Sequence, residues 1–223
     1  MMKQGIILDI DGTLLASNDA HAHAWYDALA DFGWEVPLIR LQHLIGMGGT
    51  RFLHVLYPQM QEDEGIGKVI STRRKRLFLE HYAPTLQPTP GARELVERLL
   101  RDGCRVVVGT SSSRAELDVL LQRAGVADLI TEAVTSADVE KSKPSPDVVA
   151  ASLDKLGVPP HEVAMIGDTP YDIEAAQRGG VTAIAVRSGG WRDDELAGAA
   201  AIYDNPADLV AHIADSPIAK GKE

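Results

Sequence analysis

Two aspartates, Asp9 and Asp11, follow an apolar run at the start of the chain, in the stretch GIILDIDGTLL of residues 5–15. The run predicts a buried strand, and Gly12 indicates a turn directly after it. Like charges that share a site raise each other's pKa unless a cation or a proton relieves them. A turn has a use for one aspartate as a cap. The second aspartate therefore indicates a functional site, because a turn alone does not explain it.

Polar residues also follow three later apolar runs. Thr110 and Ser111 come after RVVVG, Lys143 lies in the loop after LITEAVTS, and Asp168 follows VAMIG, with Asp172 four residues further on. Taken singly, each has an ordinary explanation, such as a helix cap for Asp168 or a solvated loop lysine for Lys143. Ligands of an open parallel sheet bind outside the carboxyl ends of its strands, so together these residues predict one site.

The predicted site carries an excess of negative charge. Asp9, Asp11, Asp168 and Asp172 sum to about −4, against about +2 from a divalent metal and +1 from Lys143. A cluster of carboxylates requires a hard cation with oxygen ligands, and Mg²⁺ fits best. A phosphate dianion would be repelled by the bare site, so we expect the metal to be obligatory.

This combination of groups is typical of phosphoryl transfer. One carboxylate can attack phosphorus as the nucleophile while the metal and Lys143 neutralise the phosphoryl oxygens. A second carboxylate serves as general acid for the leaving alcohol and later as general base for water. Asp9 and Asp11 are predicted to take these two roles, because their spacing lets both reach the same phosphoryl group.

Alternating strands and helices from residue 88 onward are predicted to position these groups. Strands are predicted at 105–110, 129–136, 163–168, 181–186 and 200–204, helices at 92–103, 114–125, 146–157, 170–180 and 206–214, and a frayed tail at 216–223. Strands that are apolar on both faces and separated by helices indicate an α/β fold with a doubly wound parallel sheet, a Rossmann-like core.

Residues 15–87 show helical patterns without intervening strands, which predicts an all-α helical cap inserted into a core of residues 1–14 and 88–223. In its Gly-rich loop IGMGGTR, Arg51 is a candidate anchor for a substrate carboxylate or second phosphate, with a solvated helix start as the alternative. The basic run at 73–76 is expected to be a solvated helix face.

Bulk composition limits the classes of partner. The chain has 223 residues, 45% of them hydrophobic, and a net charge of −10, which argues against a nucleic-acid binder. No apolar run approaches the roughly 20 residues of a membrane span, and no signal-peptide pattern is present. Cys104 is the single cysteine and is expected to be a buried thiol. We expect a cytoplasmic monomer or homodimer that binds neither nucleic acid nor membrane.

Four ordered motifs, DIDGTL (9–14), GTSSS (109–113), SKPSPD (142–147) and GDTPYD (167–172), resemble those of the haloacid dehalogenase-like superfamily. The resemblance implies a phosphoaspartyl mechanism. It makes Asp9 the nucleophile and Asp11 the acid/base, whose backbone carbonyl also binds Mg²⁺. It further implies that Thr110 and Lys143 bind the phosphoryl group, that Asp168 is a metal ligand, and that Asp172 supports the water shell of the metal.

The helical cap is similar to that of the phosphoglycolate phosphatase and β-phosphoglucomutase branch. The expected function is hydrolysis of a small phosphate monoester such as phosphoglycolate, with Ser111, Arg51 and His21 as further substrate-binding candidates. A sugar-phosphate mutase or sugar phosphatase is the alternative: His21 stands where such mutases carry a histidine, but Ile45 stands where they carry a lysine. Dehalogenases of the superfamily lack the second aspartate, so Asp11 argues against that activity. A phosphonate-cleaving relative would need a lysine in the cap, and residues 15–60 contain none. A non-catalytic scaffold could have lost any of the site groups, but all of the candidates are present.

Overall fold

The computed structural model describes residues 2–219 of the chain. Within these residues, six strands form one parallel sheet in the order β3-β2-β1-β4-β5-β6. The strands are β1 Gly5–Leu8, β2 Arg105–Gly109, β3 Ala133–Val134, β4 Val163–Gly167, β5 Thr182–Val186 and β6 Ala201–Tyr203. The predicted parallel α/β fold is confirmed.

Apolar side chains on both faces of the central strand explain why the sheet is covered on both sides. In β1, Ile6 and Leu8 pack into one hydrophobic core, whereas Ile7 packs into a second core on the opposite face. Successive side chains of a strand point to opposite faces, so an unbroken apolar run requires helices on each face.

Five helices cover the sheet. They are α5 Ala92–Arg101, α6 Arg114–Arg123, α7 Asp147–Leu156, α8 Pro170–Arg178 and α9 Pro206–Ala211, numbered after the four that precede them in the chain. The buried leucines of α5, α6 and α9 belong to the core that contains Ile6, whereas α7 and α8 contribute to the core that contains Ile7. The sheet is therefore doubly wound, as expected.

Between β1 and β2 the chain forms helices and no strand of the sheet. These are α1 Asn18–Ala30, α2 Leu38–Gln42, α3 Gly49–Leu56 and α4 Gly65–Leu77, followed by a π-helical turn at Phe78–Tyr82 and a 3₁₀ turn at Ala83–Thr85. We call residues 18–85 the helical insert. Its interior contains the rings of Trp25 and Phe52, which stack with their centroids 4.4 Å apart.

The two connections to the helical insert lie side by side. The backbone N–H of Ala16 donates to the carbonyl of Gln87 at 3.1 Å, and that of Thr89 donates to the carbonyl of Leu14 at 3.1 Å. The Thr89 hydroxyl also donates to the Thr13 carbonyl at 2.6 Å. The insert therefore enters and leaves the core at one place.

The structure corrects two predicted elements. The strand predicted at 129–136 contains only Ala133 and Val134, because the N–H groups of residues 129 and 130 both donate to the Val126 carbonyl in a turn. The predicted frayed tail is packed over residues 216–219: Ile218 is fully buried and its carbonyl accepts a 2.7 Å hydrogen bond from the backbone of Lys3. Residues 220–223 of that tail lie outside the described residues.

Cys104 is free and buried, as expected, and its thiol lies 3.2 Å from the Lys3 carbonyl. Over residues 2–219, none of the helices combines the length and the apolar character that a bilayer crossing demands.

Candidate active site

Three strands deliver polar residues to one edge of the sheet. Asp9 directly follows β1, Thr110 follows β2 and Asp168 follows β4, and all three are at least 95% buried. The N–H of Asp9 donates to the Ile166 carbonyl of β4 at 2.9 Å, which extends the β1–β4 pairing to the aspartate itself. The parallel register thus brings side chains that are far apart in sequence to neighbouring positions.

Lys143 lies between two carboxylates of this edge. Its ammonium donates to Asp9 Oδ1 at 2.5 Å and forms an ion pair with Asp172 Oδ1 at 2.6 Å, although the residue is only 1% exposed. Burial disfavours the charged amine, but the carboxylates of Asp172 and Asp9 outweigh it and raise the pKa of Lys143. The lysine is therefore a fixed positive charge beside Asp9.

Asp172 has a structural role and a site role at once. As the third residue of α8 it accepts hydrogen bonds from the Thr169 backbone and hydroxyl at 3.1 and 2.6 Å, which forms a capping box. Its other carboxylate oxygen is the one that pairs with Lys143. The helix start thus holds Asp172 in place for the site.

Asp9, Asp168 and Asp172 form a buried group whose carboxylate oxygens lie within 4.8 Å of one another. Burial, opposed by Lys143 and reinforced by Asp172 and Asp11, raises the pKa of Asp9 to about 7. Burial and the charges of Asp172 and Asp9 raise the pKa of Asp168 well above its ordinary value.

Three carboxylates against one ammonium leave an excess of two negative charges when all are ionised, and a divalent cation neutralises that excess. The all-oxygen donor set suits Mg²⁺, so the residues present fit the predicted metal.

The side chain of Asp11 is not part of this acidic group. It accepts hydrogen bonds from Ser17 Oγ at 2.5 Å and Ser112 Oγ at 3.0 Å, and it lies 2.8 Å from His21 Nε2. Burial opposes ionisation, but His21 when protonated, together with these hydrogen bonds, outweighs it and lowers the pKa of Asp11 to about 2. Its carboxylate thus contacts both the core and the helical insert.

Thr13 and Asn18, which sequence reasoning missed, hold Asp168 in place, and two glycines leave room for it. Thr13 Oγ1 donates to its Oδ1 at 3.1 Å, and Asn18 Nδ2 donates to its Oδ2 at 2.8 Å. A Cβ at Gly12 or at Gly189 would overlap the Asp168 carboxylate, so both positions require glycine. Asn18 is the first residue of α1. Nothing in the sequence around it indicates that its amide contacts Asp168, because that contact depends on the fold.

A cavity of about 40 Å³ adjoins these groups at the boundary between core and helical insert. The core contributes Asp9, Asp11 and Thr110–Ser112 to its wall. The insert contributes His21, Trp25, Ile45–Met47, Gly49 and Arg74. His21 is fixed there by stacking on Phe78, with ring centroids 3.9 Å apart and an interplanar angle of 9°. The cavity therefore lies between the core and the insert.

Arg74 contradicts the expectation that the basic run at 73–76 is a solvated helix face. The residue is 8% exposed and pairs with Glu116 of α6. Its position continues the inward stripe of α4, which also includes Ile70 and Leu77. The helical spacing of that stripe is the signal that identifies Arg74 as the inward-facing residue of the run.

Arg51, the predicted substrate anchor, is exposed and does not line the small cavity. It lines a wider open cleft of about 1,020 Å³, which shares Gly49, Arg74 and Ser111 with the small cavity. Ser111 itself donates to the Gly46 carbonyl of the insert at 3.3 Å. Arg51 can meet only a part of a ligand that extends outward from the cavity.

Comparisons with a family model, with known proteins and with solved structures all find similarity to hydrolases. Residues 6–186 match the family described as haloacid dehalogenase-like hydrolase. A phosphoglycolate phosphatase of Rhodospirillum rubrum is 31% identical over 219 residues, covering 93% of this chain and 90% of that protein. The Arabidopsis thaliana chloroplastic protein SUPPRESSOR OF QUENCHING 1 is 32% identical over 187 residues, 82% of this chain, but the match spans only 18% of that longer protein. The crystal structure of a hydrolase from Pseudomonas syringae has a TM-score of 0.88 at 30% identity, covering 95% of this chain and 98% of that chain.

Proposed function

Because this chain belongs to the haloacid dehalogenase-like hydrolases, we propose that it is a Mg²⁺-dependent phosphatase that hydrolyses a small, phosphoglycolate-like phosphate monoester. In this proposal residues 15–87 form the cap over a core of residues 1–14 and 88–223. The observation that supports it most is the arrangement of Lys143 between Asp9 and Asp172, with Asp168 beside them and Asp11 two residues after Asp9.

In the proposed reaction, Asp9 attacks the phosphorus of the bound ester and forms a phosphoaspartyl intermediate. Lys143 favours the ionised form of the attacking carboxylate against the effect of burial and offers positive charge to the phosphoryl oxygens, while Thr110 lies in the wall of the same cavity. Asp9, Asp168 and Asp172, with the backbone of Asp11, would hold Mg²⁺. When bound, the metal supplies positive charge that offsets the carboxylates and the phosphoryl group.

Asp11 performs the proton transfers in this mechanism. It is ionised before substrate binds, because the pKa of its carboxyl is lowered to about 2. A phosphoryl dianion beside it raises that pKa, since like charges favour the neutral acid, so Asp11 takes up a proton from solvent as the substrate binds and then gives it to the leaving alcohol. The resulting carboxylate removes a proton from the water that attacks the phosphoaspartyl group. Ser17, Ser112 and His21 hold Asp11 in position for both steps.

The cavity supports a compact substrate. Its volume of about 40 Å³ suits the transferring group, and Ile45 presents an apolar, buried side chain to it. We place the activity in the cytoplasm and expect a monomer or homodimer. His21 and Ser111 remain candidate substrate contacts.

Phosphate release from a panel of monoesters, including 2-phosphoglycolate and β-glucose 1-phosphate, tests the proposal. We expect Mg²⁺-dependent release of inorganic phosphate from the short-chain substrate. Interconversion of β-glucose 1-phosphate and glucose 6-phosphate without phosphate release, in the presence of a bisphosphate primer, would instead favour the mutase. No turnover of any monoester by the wild-type protein would refute both.

A further inference from the structure

Glu116 is a charged residue that the fold buries. It is the third residue of α6 and 1% exposed, at a position where capping glutamates usually face water. One carboxylate oxygen accepts hydrogen bonds from the Ser113 backbone at 3.2 Å and the Ser113 hydroxyl at 2.6 Å. The other oxygen accepts from Arg74 Nη1. Both oxygens are therefore committed, one to the core and one to the helical insert.

Arg74 reaches Glu116 from the opposite side of the boundary. Its guanidinium carbon lies 5.1 Å from the centroid of the Trp25 ring, within the range of a cation–π contact. Its Nε is buried and, among residues 2–219, has no hydrogen-bond acceptor. The same side chain lines both the small cavity with Asp9 and Asp11 and the outer cleft. The position of the Arg74 guanidinium therefore determines the shape of the small cavity beside Asp9 and Asp11.

The pair connects the insert to the loop that carries Thr110. Glu116 caps the helix that begins after Ser113, and residues 110–112 of the preceding loop line the cavity. Two charges removed from water are tolerated only as a well-formed pair, whereas one left unpaired is strongly unfavourable. Since the two charges belong to opposite sides of the boundary, the pair exists only when the insert is seated on this loop.

The neighbouring arginine shows the contrast. Arg73 pairs with Asp31 inside the insert, and the two side chains are 30% and 45% exposed. Such a solvated pair contributes little and does not depend on how insert and core meet.

We propose that Glu116 is a positioning residue for the reaction: through Arg74 it fixes the helical insert against the Thr110–Ser113 loop and sets the guanidinium in the cavity wall. The residue touches no reacting group. Its kinetic consequence rests on the proposed phosphatase function, whereas its effect on insert seating does not.

A double-mutant cycle with Glu116→Gln, Arg74→Met and the combined variant tests this pairing. Glutamine keeps one acceptor oxygen for Ser113 but loses the charge. We expect each single change to lower kcat/KM, on the monoester that the wild type hydrolyses best, at least about tenfold, and the combined variant to be no slower than the slower single variant. Arg73→Met and Asp118→Asn, two exposed members of nearby pairs, serve as matched controls and should stay within about twofold.

Hydrogen exchange without substrate gives a readout independent of turnover. We expect Glu116→Gln to speed exchange in both α4 and the 110–113 loop, while α7 on the opposite face of the sheet keeps its wild-type exchange. Should Glu116→Gln fail to fold, the combined variant, which leaves neither charge unpaired, carries the test with the same expectations.

Two results would overturn the proposal. One is single-variant losses in kcat/KM that multiply in the combined variant. The other is a lowered melting temperature with unchanged kcat/KM and unchanged exchange, because a purely structural role predicts that pattern. A wild-type protein without phosphatase activity would refute the proposed function alone, since exchange would still decide whether Glu116 seats the insert.

Discussion

Replacing Glu116 by glutamine is expected to remove a pH-dependent part of the folding free energy. Burial alone would raise the pKa of this carboxyl, but Arg74, His21 when protonated, and the Ser113 hydrogen bonds lower it from 4.5 to about 2. Each tenfold change in proton affinity corresponds to about 1.4 kcal/mol, so ionised Glu116 contributes about 3 kcal/mol to stability near neutral pH.

The direction of this pH dependence follows from the lowered pKa of Glu116. A carboxyl that is more acidic in the folded state stabilises the fold above its unfolded pKa and loses that contribution as pH falls through the folded pKa. Glutamine resembles the protonated acid, so wild type and variant should converge in acid. The difference in unfolding free energy should fall from about 3 kcal/mol at pH 7 to about 1 kcal/mol at pH 3.

Urea unfolding followed by tryptophan fluorescence at pH 7, 5, 4 and 3 measures this difference. The matched control is Asp118→Asn, whose exposed carboxylate pairs with Arg114 of the same helix at 3.6 Å; it should change stability by no more than about 0.5 kcal/mol at any pH. A gap between Glu116→Gln and wild type that is as large at pH 3 as at pH 7 would refute the electrostatic reasoning.

Three further predictions concern the site. Asp9→Asn should abolish phosphate release, because an amide is a poor nucleophile, and activity within about tenfold of wild type in a phosphate-release assay would contradict the assignment. Chelation by EDTA should stop turnover, Mg²⁺ should restore it and Ca²⁺ should inhibit it through its looser coordination; full activity after exhaustive chelation would exclude a required metal. Gly189→Ala should weaken Mg²⁺ binding measured by calorimetry, because the added methyl group overlaps the Asp168 carboxylate; unchanged affinity would show that the carboxylate can move without loss.

The groups at the strand ends were predictable because their positions follow from local rules. A buried parallel strand is an unbroken apolar run, and the residue after it necessarily lies at the carboxyl edge of the sheet. Asp9, Thr110 and Asp168 therefore meet as expected, and Lys143 joins them although its loop follows a strand much shorter than predicted.

Contacts between the core and the helical insert were not predictable in the same way. The inward stripe of α4 indicates that Arg74 faces inward, but nothing local indicates its partner, because a glutamate in a capping box such as Glu116 shows no sign of burial in the sequence. Whether such a side chain is buried depends on which surface meets it, and the chain separates the two residues by 42 positions. Arg51 shows the converse: the sequence suggested an anchor in a Gly-rich loop, but the structure places Arg51 exposed in the first turn of α3, the alternative of a solvated helix start.

The paired connections at Ala16–Gln87 and Leu14–Thr89 make the helical insert a graftable module. When the two ends of an inserted segment are neighbours, closing the segment costs little chain entropy, and segments of different length can join the same core. Asp9, Asp168, Asp172 and Lys143 all stand on the core side of that junction. Exchanging residues 19–85 for the insert of a relative would thus change the walls of the cavity, while these four side chains and the Asn18 amide that donates to Asp168 stayed in the chain. This arrangement suits the chain to the making of chimeric enzymes.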